Sequence, residues 1–179
     1  PAVLEQMAKV DPGNQYLVNW LWGYVTIGIN TGKVKAALGA TPMPANPWAL
    51  IFDPQYATRL KACGVNLLDS ASEVLPVAMG YAGKDAFSKN AKDYDAAREV
   101  LAKARPSVTR FSSSGYINDL ATGSLCVVMG YSGDINIARQ RAIDARNGQD
   151  IQALVPPSAA TLLDRKSTRL NSSHATLAR

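Results

Sequence analysis

Gly115 to Asp134 reads GYINDLATGSLCVVMGYSGD, and the fold turns on how its second half is taken. Leu125 to Met129 is a five-residue apolar run with Gly123 and Ser124 before it and Gly130 after it. A run this short, β-branched and flanked by glycine predicts an interior strand, not a helix. Ahead of it the stretch holds a short helical segment. Behind it Tyr131 and Asp134 fall just past the strand's carboxyl end, where ligands bind in open α/β sheets. A ring and a carboxylate at that place suit one side of a pocket for a small cation.

Moving outward, the rest of the chain alternates in the same way. Residues 1–10 carry Val3, Leu4, Met7 and Val10 at helical spacing, and Asp11 to Asn14 is a turn. Tyr16 to Val18 is extended, and Val25 to Asn30 is a β-branched strand. Trp20 and Trp22 between them suit core packing more than ligand contact. Lys33 to Leu38 is a short helix closed by Gly39, and Ala40 to Asn46 a loop. Asn46-Pro47 and Asp53-Pro54 are helix starts with proline at the first position. Trp48, Leu50, Ile51 and Phe52 are expected to face inward, and the second helix ends at Cys63 with Gly64 as its stop.

Val65 to Asp69 is the next strand. Ser70 and Glu73 then match a capping box, opening a helix to about Tyr81. Lys92 to Ala104 is amphipathic, with Tyr94, Ala97, Val100, Leu101 and Ala104 on one face and Pro106 as its end. A strand over 108–111, a helix over 134–146 with Ile135, Ala138, Ala142 and Ile143 inward, and a strand over 151–155 complete the series. Strands alternating with helices predict an α/β layered fold on a parallel or mixed sheet.

Composition narrows the function classes. The chain has 179 residues, 47% hydrophobic and 18% charged, which describes a globular protein. No apolar run approaches the roughly 20 residues of a membrane span. The sequence begins at Pro1 with no signal-peptide pattern, which leaves secretion open. The net charge of +5 is concentrated in residues 164–179, which carry Arg165, Lys166, Arg169 and Arg179 against Asp164. The remaining chain holds 15 basic and 13 acidic residues and shows no basic stripe, which argues against nucleic acid as a partner. Residues 164–174 look like the in-frame translation of a sequencing-library adapter; the alternative is a native disordered basic tail. That segment is set aside from the fold, and it contains His174, the chain's one histidine.

Candidate chemistry is sparse. No Gly-rich phosphate loop, G-x-S-x-G elbow or H-E-x-x-H is present, and Ser112 to Ser114 lack a histidine to activate them. No catalytic residue, metal site or cofactor is expected, and the chain reads as a non-enzyme. Cys63 and Cys126 are either two buried thiols or one disulfide. Glu73, Tyr131 and Asp134 are the candidate ligand residues, because each follows an apolar strand on what should be one edge of one sheet. Each also has a plain structural reading: Glu73 as the capping-box residue, Asp134 as a helix cap at the positive end of the dipole, Tyr131 as a strand-end aromatic.

Phe111-x-Ser-Ser-x-Tyr-Ile-Asn-Asp-Leu-Ala-x-Gly123, with Cys126 and Gly130-Tyr-x-Gly-Asp134, resembles the polyamine-binding periplasmic proteins that feed ABC importers. Lys61-x-Cys-Gly-Val65, Leu68-Asp69 with Glu73-Val74, Gly83-Lys-Asp85, Arg105-Pro106 and Ile27-Gly-x-Asn30 extend the likeness, which runs nearly continuously from Val10 to Pro156. The resemblance implies a type II periplasmic-binding-protein clamshell, of which this chain holds mainly one lobe, a mixed sheet flanked by helices. Residues 1–29 would be the end of lobe one and the hinge crossing, 30–155 lobe two, 156–163 the start of the return to lobe one, and 164–179 the foreign tail. It implies capture of putrescine or spermidine in the periplasm, delivery to the permease subunits of an inner-membrane ABC importer, and a monomeric state. Another cationic solute or an amino acid in the same fold is the alternative. The family's lobe-two contacts fall on Glu73, Tyr131 and Asp134, with tyrosine where relatives often carry tryptophan. Its lobe-two disulfide falls on Cys63 and Cys126. Its lobe-one contacts would precede Pro1, and a further ligand aspartate would follow Leu163.

Overall fold

A computed structural model describes residues 8, 11–13, 15–157 and 162–168, with the backbone alone over 17–22 and 162–168. The expected helix over 1–10 lies outside these residues apart from Ala8, which is helical, and the expected packing of Trp20 and Trp22 also lies outside them. The chain divides into two compact units, residues 1–23 with 162–179, and residues 24–161.

In the first unit Asp11 opens the expected turn by accepting the Tyr16 N–H at 2.8 Å, and Gly13 supplies the left-handed residue at φ 78°. The extended run begun at Tyr16 continues without a break as one strand, β1 (Leu17–Asn30), through the tryptophans and into the second unit. A further strand, Leu162–Thr168, pairs with β1. Its last residues belong to the stretch set aside from the fold in the sequence reading. Their polar side chains gave no period-2 signal, but backbone pairing needs none.

The second unit is built on a mixed sheet. The strands β2 (Val65–Leu67), β3 (Arg110–Phe111), β4 (Val127–Tyr131) and β5 (Ile151–Leu154) join the second half of β1. Their order is β3-β2-β4-β1-β5. β2 runs parallel to β3 and β4, whereas β1 runs antiparallel to both β4 and β5. β4 starts two residues later than expected. Cys126 and Val127 both donate to the Gly64 carbonyl, at 3.0 and 3.2 Å, and Leu125 donates to Asp119, so the start of the apolar run closes a turn before the ladder begins. β2 and β3 are also shorter than expected, although Thr109 N–H to Val65 and Ser112 N–H to Leu67 continue their pairing on either side.

Helices cover the sheet as α1 (Thr31–Leu38), α2 (Ala49–Phe52), α3 (Pro54–Leu60), α4 (Ala71–Tyr81), α5 (Ala91–Ala104), α6 (Tyr116–Thr122) and α7 (Ser132–Asp144). Side-chain caps open three of them. Asn30, Asp53 and Asn90 cap α1, α3 and α5 by accepting the N–H of Lys33, Gln55 and Lys92. Gly64 at φ 94° turns the chain into β2, and no side chain fits there, because a Cβ would lie 2.8 Å from Leu125.

The core contains Trp48, Leu50, Ile51 and Phe52, as expected, together with Leu60, Met79, Tyr116 and Met129. Two inward assignments fail. Ile143 is 54% exposed, because α7 buries the narrower stripe Ile135, Ala138 and Ala142. Tyr94 is 43% exposed, because α5 packs through its small residues Ala97 and Ala104, which leaves the larger ones of that face at the margin.

Candidate functional site

β2 and β4 are parallel neighbours, so the segments that leave their carboxyl ends emerge side by side. Glu73 lies in the first turn of α4, reached from β2. Tyr131 ends β4, and Asp134 lies in the first turn of α7, which begins directly after it.

The expected capping box does not form. Ser70 makes no side-chain bond to the helix backbone; its hydroxyl pairs instead with that of Ser72 at 3.0 Å. Glu73 does not reach back to Ser70, because its Oε1 accepts the Tyr131 hydroxyl at 2.5 Å. The other carboxylate oxygen, Oε2, is buried with no hydrogen-bond partner among the described residues. A buried carboxylate oxygen left in that state costs free energy, about 1–3 kcal/mol by the usual measure for an unsatisfied group. It is an acceptor in want of a donor.

Asp134 is fixed by a residue that the sequence reading placed on a helix without giving it a role. The Tyr116 hydroxyl donates to Asp134 Oδ2 at 2.8 Å and accepts the Tyr131 N–H at 2.9 Å. Tyr116 is fully buried. Burial above all, with the Asp134 carboxylate adding and the Tyr131 N–H opposing, holds its phenol far above the ordinary range, so it stays a proton donor. Tyr116 therefore links the strand end to the acid that follows it. A signal for it was present in Gly130, since an isolated glycine within a strand marks close approach by another group.

The result is a half-buried patch on which two carboxylates and a ring are held by phenol hydroxyls from β4 and α6. Such a patch favours a cation. Among the described residues no group of three or more potential ligands could hold a metal ion, and no helix is long and apolar enough to cross a membrane. At the opposite end of the same two strands Cys63 and Cys126 form a disulfide, their Cα atoms 5.5 Å apart.

No protein-family profile matches the chain. Individual proteins do. It is 45% identical over 150 residues to the putrescine-binding periplasmic protein SpuD of Pseudomonas aeruginosa, covering 84% of this chain and 41% of that protein. It is 42% identical over 161 residues to the putrescine-binding periplasmic protein PotF of Escherichia coli, covering 89% and 43%. Among solved structures, the spermidine/putrescine ABC transporter substrate-binding protein PotD of Streptococcus pneumoniae superposes with a TM-score of 0.62 at 20% identity, covering 88% of this chain and 44% of that one. The chain thus spans less than half the length of these relatives. It is a homologue of the periplasmic putrescine- and spermidine-binding proteins, and its fold is of the type II periplasmic-binding-protein class.

Proposed function

We propose that the chain contributes one wall of a polyamine site in a periplasmic solute-binding protein that delivers putrescine or spermidine to the permease subunits of an ABC importer. The observation that carries this reading is the buried Oε2 of Glu73, without a hydrogen-bond partner among the described residues, beside the Tyr131 hydroxyl, with Asp134 held on the neighbouring strand connection. A polyamine is a methylene chain with ammonium groups, so it needs carboxylates at the amines and aromatic faces along the chain. Glu73 and Asp134 offer charge-assisted hydrogen bonds to the ammonium groups. The Tyr131 ring offers a cation–π contact worth about 0.5–2 kcal/mol, depending on desolvation.

The protein acts by binding and release and carries out no chemical step. A periplasmic setting is supported by the disulfide, which persists in oxidising compartments. The protein works as a monomer and has no nucleic-acid partner.

The test is a graft in which residues 24–157 replace the aligned segment of the Pseudomonas aeruginosa relative, followed by calorimetric titration with putrescine and spermidine. The graft is expected to bind, and Glu73→Gln or Asp134→Asn to weaken binding about ten-fold or more. A folded graft that releases no heat with any polyamine would sink the reading.

A further inference from the structure

Asp134 is the third residue of α7, and Tyr131 is the residue at its cap position. An acidic side chain at the third position ordinarily reaches back to the backbone N–H of the cap residue and closes the helix start. Here a hydroxyl from another helix stands between the two groups. Tyr116 Oη accepts the Tyr131 N–H at 2.9 Å and donates to Asp134 Oδ2 at 2.8 Å. The direction of the two bonds is fixed, because the N–H can only donate and the buried phenol keeps its proton. The carboxylate is therefore held one hydroxyl away from its own helix start, and Asp134 stays only half-buried, where a ligand can reach it.

Resting on the polyamine reading, we infer that Tyr116 is a positioning residue whose hydroxyl spaces Asp134 off its helix and presents the carboxylate, already oriented, to a ligand ammonium group. Tyr116 itself is fully buried and acts only through its neighbour. Its contribution is preorganisation: the side chain that meets the ammonium is ordered before binding, so the ordering cost falls on folding and not on the ligand. Without the hydroxyl the carboxylate is free to turn towards the helix start or into solvent, and the ligand has to order it.

The experiment titrates the whole 179-residue chain with putrescine, following backbone amide signals by NMR so that weak binding is measurable. It compares wild type, Tyr116→Phe, Asp134→Ala and the double variant. Tyr116→Phe is expected to weaken binding about five-fold, the cost of ordering one side chain on binding. With Asp134→Ala already in place, the same change should alter affinity by less than about two-fold, because the hydroxyl then has no carboxylate to hold. An equal loss in both backgrounds would give Tyr116 a purely structural role and overturn the inference, as would no loss in either. A measurement on wild type alone decides the matter if Tyr116→Phe does not fold. The Tyr116 hydroxyl proton, buried and bonded to Asp134, should shift during the titration with the same midpoint as the amide signals. A hydroxyl signal that stays in place while the amides move overturns the inference and leaves the polyamine reading intact. No change in any wild-type signal with putrescine overturns both.

Discussion

The ring of Tyr116 fills the space that a side chain at Gly130 would need: a Cβ there would lie 2.5 Å from Cε2 of the ring and 2.8 Å from its hydroxyl oxygen. The glycine and the tyrosine come from β4 and α6, and each permits the position of the other. Gly130→Ala is therefore expected to destabilise the fold by about 1–3 kcal/mol, the usual cost of overpacking a core. Chemical denaturation of the two proteins side by side measures it, and an unchanged midpoint would refute the argument.

Tyr116 also makes stability fall in alkali. Its folded-state phenol lies well above the usual value of 10.0, with burial as the largest cause. The unfolded chain therefore loses this proton first as pH rises, while the folded protein keeps it. Stability is fully present below about pH 10 and declines above it by up to about 1.4 kcal/mol per pH unit for one such group. Tyr81 is shifted the same way, by burial and then by Asp53 and Tyr56, and adds to the decline. Tyr116→Phe is expected to shallow this slope, although it lowers stability at neutral pH by leaving the Tyr131 N–H without its acceptor. Urea unfolding at a series of alkaline pH values should show the shallower slope, and equal slopes would count against the assignment.

The Ser70 hydroxyl contributes little to α4. Because it bonds to Ser72 and not to the helix backbone, Ser70→Ala should cost less than about 0.5 kcal/mol. Asn90→Ala, which removes a working cap on α5, should cost about 1 kcal/mol. Equal losses in the two variants would show that Ser70 caps its helix after all.

Reduction of the disulfide should have the largest effect. The bond closes a loop with a sequence separation of 63, for which the chain-entropy account gives about 4 kcal/mol. Thermal unfolding with and without a thiol reductant should differ by many degrees, and the double variant Cys63→Ser, Cys126→Ser should match the reduced protein. Identical melting curves would mean that the cross-link constrains nothing.

Where local chemistry decides, the sequence was readable. Gly39, Gly64, Gly83 and Gly123 all adopt the positive φ that ends or turns a segment, and Asp53 caps α3 by a bond spanning two residues, with Pro54 at the first helical position. The strand–helix alternation and the gathering of Glu73, Tyr131 and Asp134 beyond one edge of the sheet followed from that punctuation. Long-range competition was not readable. Glu73 had a suitable partner three residues away and bonded instead to one 58 residues away. Tyr116 had no role in the sequence reading, because its two partners lie 15 and 18 residues further on. Ile143 matched a helical stripe whose real width was set by what α7 packs against.

The Cys63–Cys126 bond sits at the amino ends of β2 and β4, whereas Glu73, Tyr131 and Asp134 lie beyond their carboxyl ends. The covalent staple and the proposed cation-binding patch therefore lie at opposite poles of the same two strands. A substitution at the carboxyl pole therefore leaves the covalent anchor at the other pole in place.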